Sequence, residues 1–225
     1  MIQFESVYKR YPGGREALRG VSFHLERGEM AFLTGPSGAG KSTLLKLITL
    51  IEKPTRGTVL VNGQNTARVR RRGIPAFRQN IGIVFQDHKL LYDRSVFDNV
   101  ALPLVIIGLG PREIARRVRA ALDQVGLLGR ERDAPVTLST GEQQRVGIAR
   151  AVASRPAVIV ADEPTGNLDP ELSLDIMRLF ARFNEVGITL LIATHDLELI
   201  ERFDCRRVRL ADGLIDEAAD AMAAS

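Results

Sequence analysis

"GPSGAGKST" at residues 35–43, between the apolar "MAFLT" (30–34) and "LLKLITLIE" (44–52), decides how the rest of the chain reads. It carries the G-x-x-x-x-G-K-[ST] spacing in full, from Gly35 through Pro36, Ser37, Gly38, Ala39, Gly40 and Lys41 to Ser42, with Thr43 following. Glycines let successive backbone N–H groups turn inward to an anion, and the helix that follows adds the positive end of its dipole. Lys41 can then reach the β and γ phosphates of a nucleotide, and Ser42 can ligate Mg²⁺. A glycine-rich turn that merely links strand to helix is the competing reading, and the full motif at a strand-to-helix junction weighs against it.

Outward from the loop, four mostly continuous apolar runs, "MAFLT" (30–34), "IGIVFQ" (81–86), "AVIVADE" (157–163) and "TLLIATH" (189–195), read as strands buried on both faces of a parallel sheet. Val21, Phe23 and Leu25 alternate with Ser22, His24 and Glu26, and "GTVLVNGQ" ends at an Asn62-Gly63 turn, so the N-terminal third carries a small antiparallel layer. The stretch 111–125 opens with Pro111 and repeats Ile114, Val118, Leu122 and Val125 on one helical face. At 170–186, Asp169 serves as N-cap and Pro170 as first residue of a helix burying Leu172, Ile176, Leu179, Phe180 and Phe183. "RVRLADGLID" (207–216) reads as a hairpin about Asp212-Gly213, and "EAADAMAAS" (217–225) as a tail expected to fray.

A chain of 225 residues with 45% apolar content can bury one large α/β core with a smaller appended subdomain. Its 31 basic and 27 acidic residues leave a net charge of +4, too mild to argue for a polyanionic partner. The single cysteine, Cys205, excludes an internal disulfide, fits a reducing compartment and reads as packing. "MIQFESVYKRY" lacks the build of a signal peptide, and the most apolar stretch, "VALPLVIIGLG" (100–110), is too short to cross a bilayer. A soluble or peripheral protein is expected, in which any spanning of a membrane falls to another chain.

All four apolar runs deliver polar chemistry at their carboxyl ends: Gly35 and its loop, Gln86, Asp162-Glu163 and His195. In an open α/β sheet that edge is where ligands bind. Asp162 is placed as a metal-side carboxylate and Glu163 to polarise a water, against the alternative that both merely cap the turn before Pro164. "LSTGEQQRVGIARAV" (138–152) then sets a Ser-Thr-Gly turn at the start of a long helix, a second anion-binding helix terminus in one chain. One nucleotide does not need two such sites from one subunit, whereas a second subunit turned head to tail would use both.

The set of phosphate loop, "VFQ" with Gln86, "LSTGEQQR", "VIVADEP", "NLD" (167–169) and "ATHD" with His195 closely resembles the ATP-binding cassette family over essentially the whole chain. The resemblance implies a P-loop NTPase fold with a mostly parallel core sheet, an N-terminal antiparallel β layer and an inserted helical subdomain. It places the catalytic core at 1–86 and 156–225 and the helical part at 87–155. It further implies ATP and Mg²⁺ as ligands and a homodimer formed on ATP binding. Carried over by position, Tyr11 stacks on adenine, Gln86 senses the metal and the attacking water, and His195 contacts the γ-phosphate. Ser139 and Gly141 contact the γ-phosphate held by the other subunit, and Asp169 bridges the two.

"FQDHKLL" followed by "DRSVFDNVA" is similar to the branch of the family that serves bacterial cell division from the cytoplasmic face of the inner membrane. There the implied partner is an integral membrane protein, received in a groove for which Leu90, Leu91, Tyr92 and Val96 are the candidates. Exporters of lipoproteins or macrolides, and a nucleotide-gated scaffold with little turnover, are the alternatives. Two departures stand out: Thr140 and Leu50 occupy places where the family usually has glycine, and they predict a strained signature turn and local repacking respectively. The cluster "RVRRRGIPAFR" (68–78) could touch nucleic acid or anionic lipid, but aromatic interleaving is limited to Phe77 and no base-reading motif accompanies it, so it reads as a solvated arginine face and no nucleic acid is expected.

Overall fold

The computed structural model describes residues 1–216. The chain opens with β1 (Ile2–Arg10) and β2 (Glu16–Leu25), followed by β3 (Met30–Thr34), the phosphate loop and α1 (Lys41–Ile48). β4 (Arg56–Val61) and β5 (Gln64–Asn65) flank the Asn62-Gly63 turn, where both residues have positive φ, as a tight antiparallel hairpin requires. A short α2 (Ile74–Arg78) leads to β6 (Ile81–Val84), and then come three helices in succession: α3 (Val96–Ile107), α4 (Pro111–Gln124) and α5 (Thr140–Val152). β7 (Val158–Asp162), α6 (Pro170–Glu185), β8 (Thr189–Ala193), α7 (Leu197–Glu201), β9 (Arg206–Ala211) and β10 (Leu214–Ile215) complete the described chain. The segment 217–225, expected to fray, lies outside the described residues.

Two sheets result. The antiparallel one has order β2-β1-β4-β5, with Phe4 and Phe23 stacked across β1 and β2 at 4.9 Å between ring centroids. The other has order β10-β9-β3-β8-β7-β6, with parallel pairing from β9 through β6. Alternation along its strands explains why they read as unbroken apolar runs. Phe32, Ile159, Ala161, Leu190 and Ile192 point to a core shared with α3 to α6, while Ala31, Leu33, Val160, Leu191 and Ala193 point to a second core under α1 and the antiparallel sheet. Since neither face meets water, the polar residues are left for the strand ends.

Helix α6 forms as its termini predict: Asp169 accepts from Glu171 N–H (3.1 Å) and Leu172 N–H (3.0 Å), and Pro170 takes the first helical position. Helix α3 carries no such clean signal. Ser95 caps it, Val100, Ala101 and Leu104 are buried, yet Leu102, Val105 and Ile106 on its other side are exposed. A helix apolar on both sides shows no amphipathic period.

Leu50 does more than repack. It closes the C-terminus of α1 in the left-handed region (φ 55°), with Ile51 N–H reaching back to the Lys46 carbonyl at 2.9 Å. A Cβ in that conformation costs roughly 1–2 kcal/mol, and burial of the leucine side chain, about 1.5–3 kcal/mol, offsets it. Arg78 holds the same turn by donating to the Thr49 carbonyl (2.9 Å) and the Leu50 carbonyl (3.1 Å).

Candidate functional site

The carboxyl ends of β3, β6, β7 and β8 converge on a cavity of about 760 Å³. It is lined by Tyr11, Pro36, Ser37, Gly38, Gly40, Lys41, Ser42, Thr43, Gln86, Asp162, Glu163 and His195. Gly35 opens the loop at φ 136°, and a Cβ there would stand 1.9 Å from the Leu210 carbonyl oxygen, so β9 packs against the loop where only glycine fits. Gly40, at φ 113°, caps α1 without a side chain between its N–H groups and the cavity. Lys41 is 9% exposed. Its ammonium donates to the Gly35 carbonyl (2.7 Å) and the Pro36 carbonyl (3.2 Å), folded over its own loop with no carboxylate bound.

Opposite stand the two carboxylates. Burial pushes the Asp162 carboxyl above its ordinary range, and the charge of Glu163 adds to this; a hydrogen bond from Ser42 and the charges of Lys41 and Lys46 act the other way. Glu163 occupies the left-handed region (φ 47°), anchored by its N–H to the Ala193 carbonyl at 2.9 Å. Its Oε1 lies 2.9 Å from Nδ1 of His195, while its Oε2 is buried and, among the described residues, has no hydrogen-bond partner. A buried carboxylate pushed toward its neutral form, beside a second one with an orphaned oxygen, fits a site built for a cation and a water. Among the described residues no group of three or more His, Cys, Asp or Glu side chains could hold a metal alone. A divalent ion here would need oxygens beyond carboxylates, from Ser42, Gln86, water or a bound ligand.

Asp162→Asn is accordingly expected to melt higher than the native chain at neutral pH when no nucleotide is present. A raised folded pKa means that ionising Asp162 costs stability above its unfolded pKa, and this cost disappears below it, so the gain vanishes in acid. Thermal melts across pH check this, and a variant that melts lower at pH 7 would contradict it.

Tyr11 sits at the cavity with its hydroxyl 3.4 Å from Thr43 Oγ1 and the Lys9 ammonium 4.9 Å from its ring centroid, a flat face already used for a cation. Sequence reasoning passed over Arg15 and Lys46, which also line the cavity. Lys46 had a signal: it lies one helical turn after Ser42 on α1.

Ser139, Gly141 and Asp169 do not line this cavity. Ser139 caps α5 in a capping box, accepting from Glu142 N–H (3.3 Å) while its own N–H donates to Glu142 Oε2 (2.8 Å). Arg130 secures Glu142 at 3.0 Å and also bonds Asp133. Thr140, the first residue of α5, is not among the residues with positive φ, so its Cβ carries no left-handed backbone strain. Gly141 is where space runs out: a Cβ there would meet Leu172 of α6 at 3.2 Å. Past Gln86, the His88 ring is hydrogen-bonded to Gln144 of α5, and Arg150 donates to the His88 and Lys89 carbonyls. The strand end carrying Gln86 is thereby tied to the helix that Ser139 caps.

The four candidates for a partner groove divide. Leu90 and Val96 are buried in the core beneath α3, where Asn99 clamps the intervening loop through Leu91 N–H (2.7 Å) and the Leu91 carbonyl (2.9 Å), so neither can meet a partner. Leu91 and Tyr92 are exposed. An apolar groove of about 480 Å³ does open nearby, but none of the four lines it; its walls include Ile83, Phe85, Leu102, Pro103 and Ile106. Cys205 packs half-buried on the core, and burial pushes its thiol pKa up.

A phosphate loop on a mostly parallel sheet, a separate Ser-capped helix terminus and a run of helices between β6 and β7 define an ATPase of the cassette type. The sequence profile of the ABC transporter family matches residues 18–166. The chain belongs to that family and, within it, to the FtsE cell-division ATP-binding proteins. It is 59% identical to the cell division ATP-binding protein FtsE of Escherichia coli K12, over 95% of this chain and 96% of that one. With FtsE of Bacillus subtilis it shares 46% identity, over 96% and 94%. Among solved structures it is similar to the dimeric post-hydrolysis state of the ATP-binding cassette MJ0796 bound to ADP and Pi. The TM-score is 0.87 at 34% identity, covering 96% of this chain and 97% of that one. No helix among the described residues is long and apolar enough to cross a membrane.

Proposed function

We propose that the chain hydrolyses ATP as a head-to-tail homodimer and, from the cytoplasmic face of the cell membrane, drives an FtsX-type integral membrane partner that regulates cell-wall hydrolysis during division. The observation that carries the dimer is the separation of Lys41 and its cavity from Ser139 and Gly141 within one chain. In this reading the loop from Gly35 to Gly40 with Lys41, Ser42 and Thr43 holds the phosphates, and Tyr11 stacks on adenine. Ser42, Asp162 and Gln86 hold Mg²⁺, which supplies charge neutralisation at the phosphates. Glu163 polarises the attacking water, and His195 reaches the γ-phosphate. Asp169, with Ser139 and Gly141, faces the partner subunit. The segment 87–155 acts as a helical subdomain whose position reports on Gln86 through His88 and Gln144.

The groove walled by Ile83, Phe85, Leu102 and Ile106 receives a short apolar helix of the membrane partner. Exposed apolar side chains on α3 beside the segment that follows Gln86 support this assignment. Ile106 is 64% exposed, so Ile106→Glu is expected to leave thermal stability and ATP binding nearly unchanged. It should lose co-purification with the membrane partner, because burying one such side chain at an interface is worth about 1.5–3 kcal/mol. Native co-purification of Ile106→Glu would remove the groove from the model of coupling.

A further inference from the structure

Between Glu52 and Asp87 the chain has no acidic residue and seven basic ones: Lys53, Arg56, Arg68, Arg70, Arg71, Arg72 and Arg78. Three of these are engaged. Lys53 donates to the Val69 carbonyl, Arg56 lies over the Tyr8 ring at 5.4 Å, and Arg78 holds the turn at Leu50. The other four are all exposed and, among the described residues, have no side-chain hydrogen bond, ion pair or ring contact. Together they carry as much charge as the net +4 of the whole chain. A solvated arginine face ordinarily intersperses both signs; this one has no carboxylate of its own.

Position adds to charge. Arg71 and Arg72 lie on a 3₁₀ turn (Arg71–Gly73) that runs directly into α2, and Ile74, Pro75 and Arg78 on that helix, with Gln79 capping its C-terminus, line the apolar groove on α3. Pro75 and Ala76 are exposed beside the arginines, so the edge offers cations next to small apolar side chains. Phe77, the one aromatic within the arginine-rich segment, is buried and offers no platform on which a base could stack. Nor is any of the four guanidinium groups fixed in orientation, as a site for one particular carboxylate would require. Free cations on the segment that leads into a groove-lining helix suit a diffuse negative plane.

We propose that Arg68, Arg70, Arg71 and Arg72 form a docking edge for the anionic headgroups of a lipid bilayer. The proposal rests on the membrane-partner reading only for its orientation, since a segment leaving the groove toward the bilayer brings this edge with it. Near an anionic surface each arginine contributes about fivefold in partitioning, and the effect falls away within a Debye length.

Flotation of the full chain with phosphatidylcholine vesicles, with and without phosphatidylglycerol, tests it. Binding is expected only with phosphatidylglycerol and should weaken as salt rises. The combined Arg68→Gln, Arg70→Gln, Arg71→Gln and Arg72→Gln variant should lose at least about tenfold of that binding while its ATP affinity stays native. Lysine at the same four positions should restore binding, because a headgroup plane reads charge rather than the guanidinium fork. Ile106→Glu should bind vesicles as the native chain does, so failure of the groove and failure of the lipid edge are told apart. Unchanged flotation of the glutamine variant would overturn the proposal. So would loss of binding in the lysine variant, or tighter retention by an oligonucleotide or by the detergent-solubilised partner than by anionic vesicles.

Discussion

Glu163→Gln is expected to bind ATP as the native chain does and to hydrolyse it at least about 100-fold more slowly, the scale on which enzymes lose a general base or an electrostatic stabiliser. The substitution is nearly isosteric, so the anchor from the residue 163 N–H to the Ala193 carbonyl and the left-handed backbone are kept. What changes is the carboxylate itself, whose Oε2 is buried and, among the described residues, has no hydrogen-bond partner. An amide there can neither accept the water's proton nor stabilise its developing charge. Lys41→Ala should fail differently, by weakening nucleotide binding itself, because the ammonium lies over the loop that cradles the phosphates. Single-turnover hydrolysis with saturating ATP separates the two effects. A native rate for Glu163→Gln would assign the water to another group.

The site was legible because its chemistry is set by backbone path and strand ends, and both leave marks in sequence. Glycines at 35 and 40 answer to close approaches by the Leu210 and Ala17 carbonyls, and the strands end in polar residues because their interiors face two cores. Helix α6 declared itself through Asp169 and Pro170. Where side chains answer to tertiary partners, sequence was mute. Leu90 and Leu91 are adjacent and identical, yet one is buried and the other exposed, a split decided by the Asn99 clamp from α3. The left-handed turn at Leu50 was hidden for a related reason: its strain is offset by core burial and held by Arg78 from a distant segment. Thr140 misled in the opposite direction. The glycine it replaces suggested strain, but a residue in first helical position behind a capping serine tolerates a side chain.

ATP, but not ADP, is expected to convert Glu163→Gln protein from monomer to head-to-tail dimer, and Ser139→Arg added to it should prevent the conversion. Within one chain Ser139 is outside the cavity that Lys41 lines, so the two can serve one nucleotide only across a subunit boundary. Ser139 is held in place for this: Glu142 and Arg130 fix the cap at the start of α5. An arginine side chain at this position fills the space that the opposing phosphate loop must enter and sets its charge against Lys41. It also removes the cap, which by itself costs about 0.5–2 kcal/mol. Ser139→Ala supplies the control, since it loses the same cap but leaves the space open. The alanine protein should melt lower yet still dimerise with ATP, whereas the arginine protein should remain monomeric at concentrations where the alanine protein is dimeric. Light scattering with the membrane partner present reads all three. A Glu163→Gln protein that stays monomeric in every nucleotide state, or an arginine variant that dimerises as readily as the alanine one, would return Ser139 to the role of a helix cap.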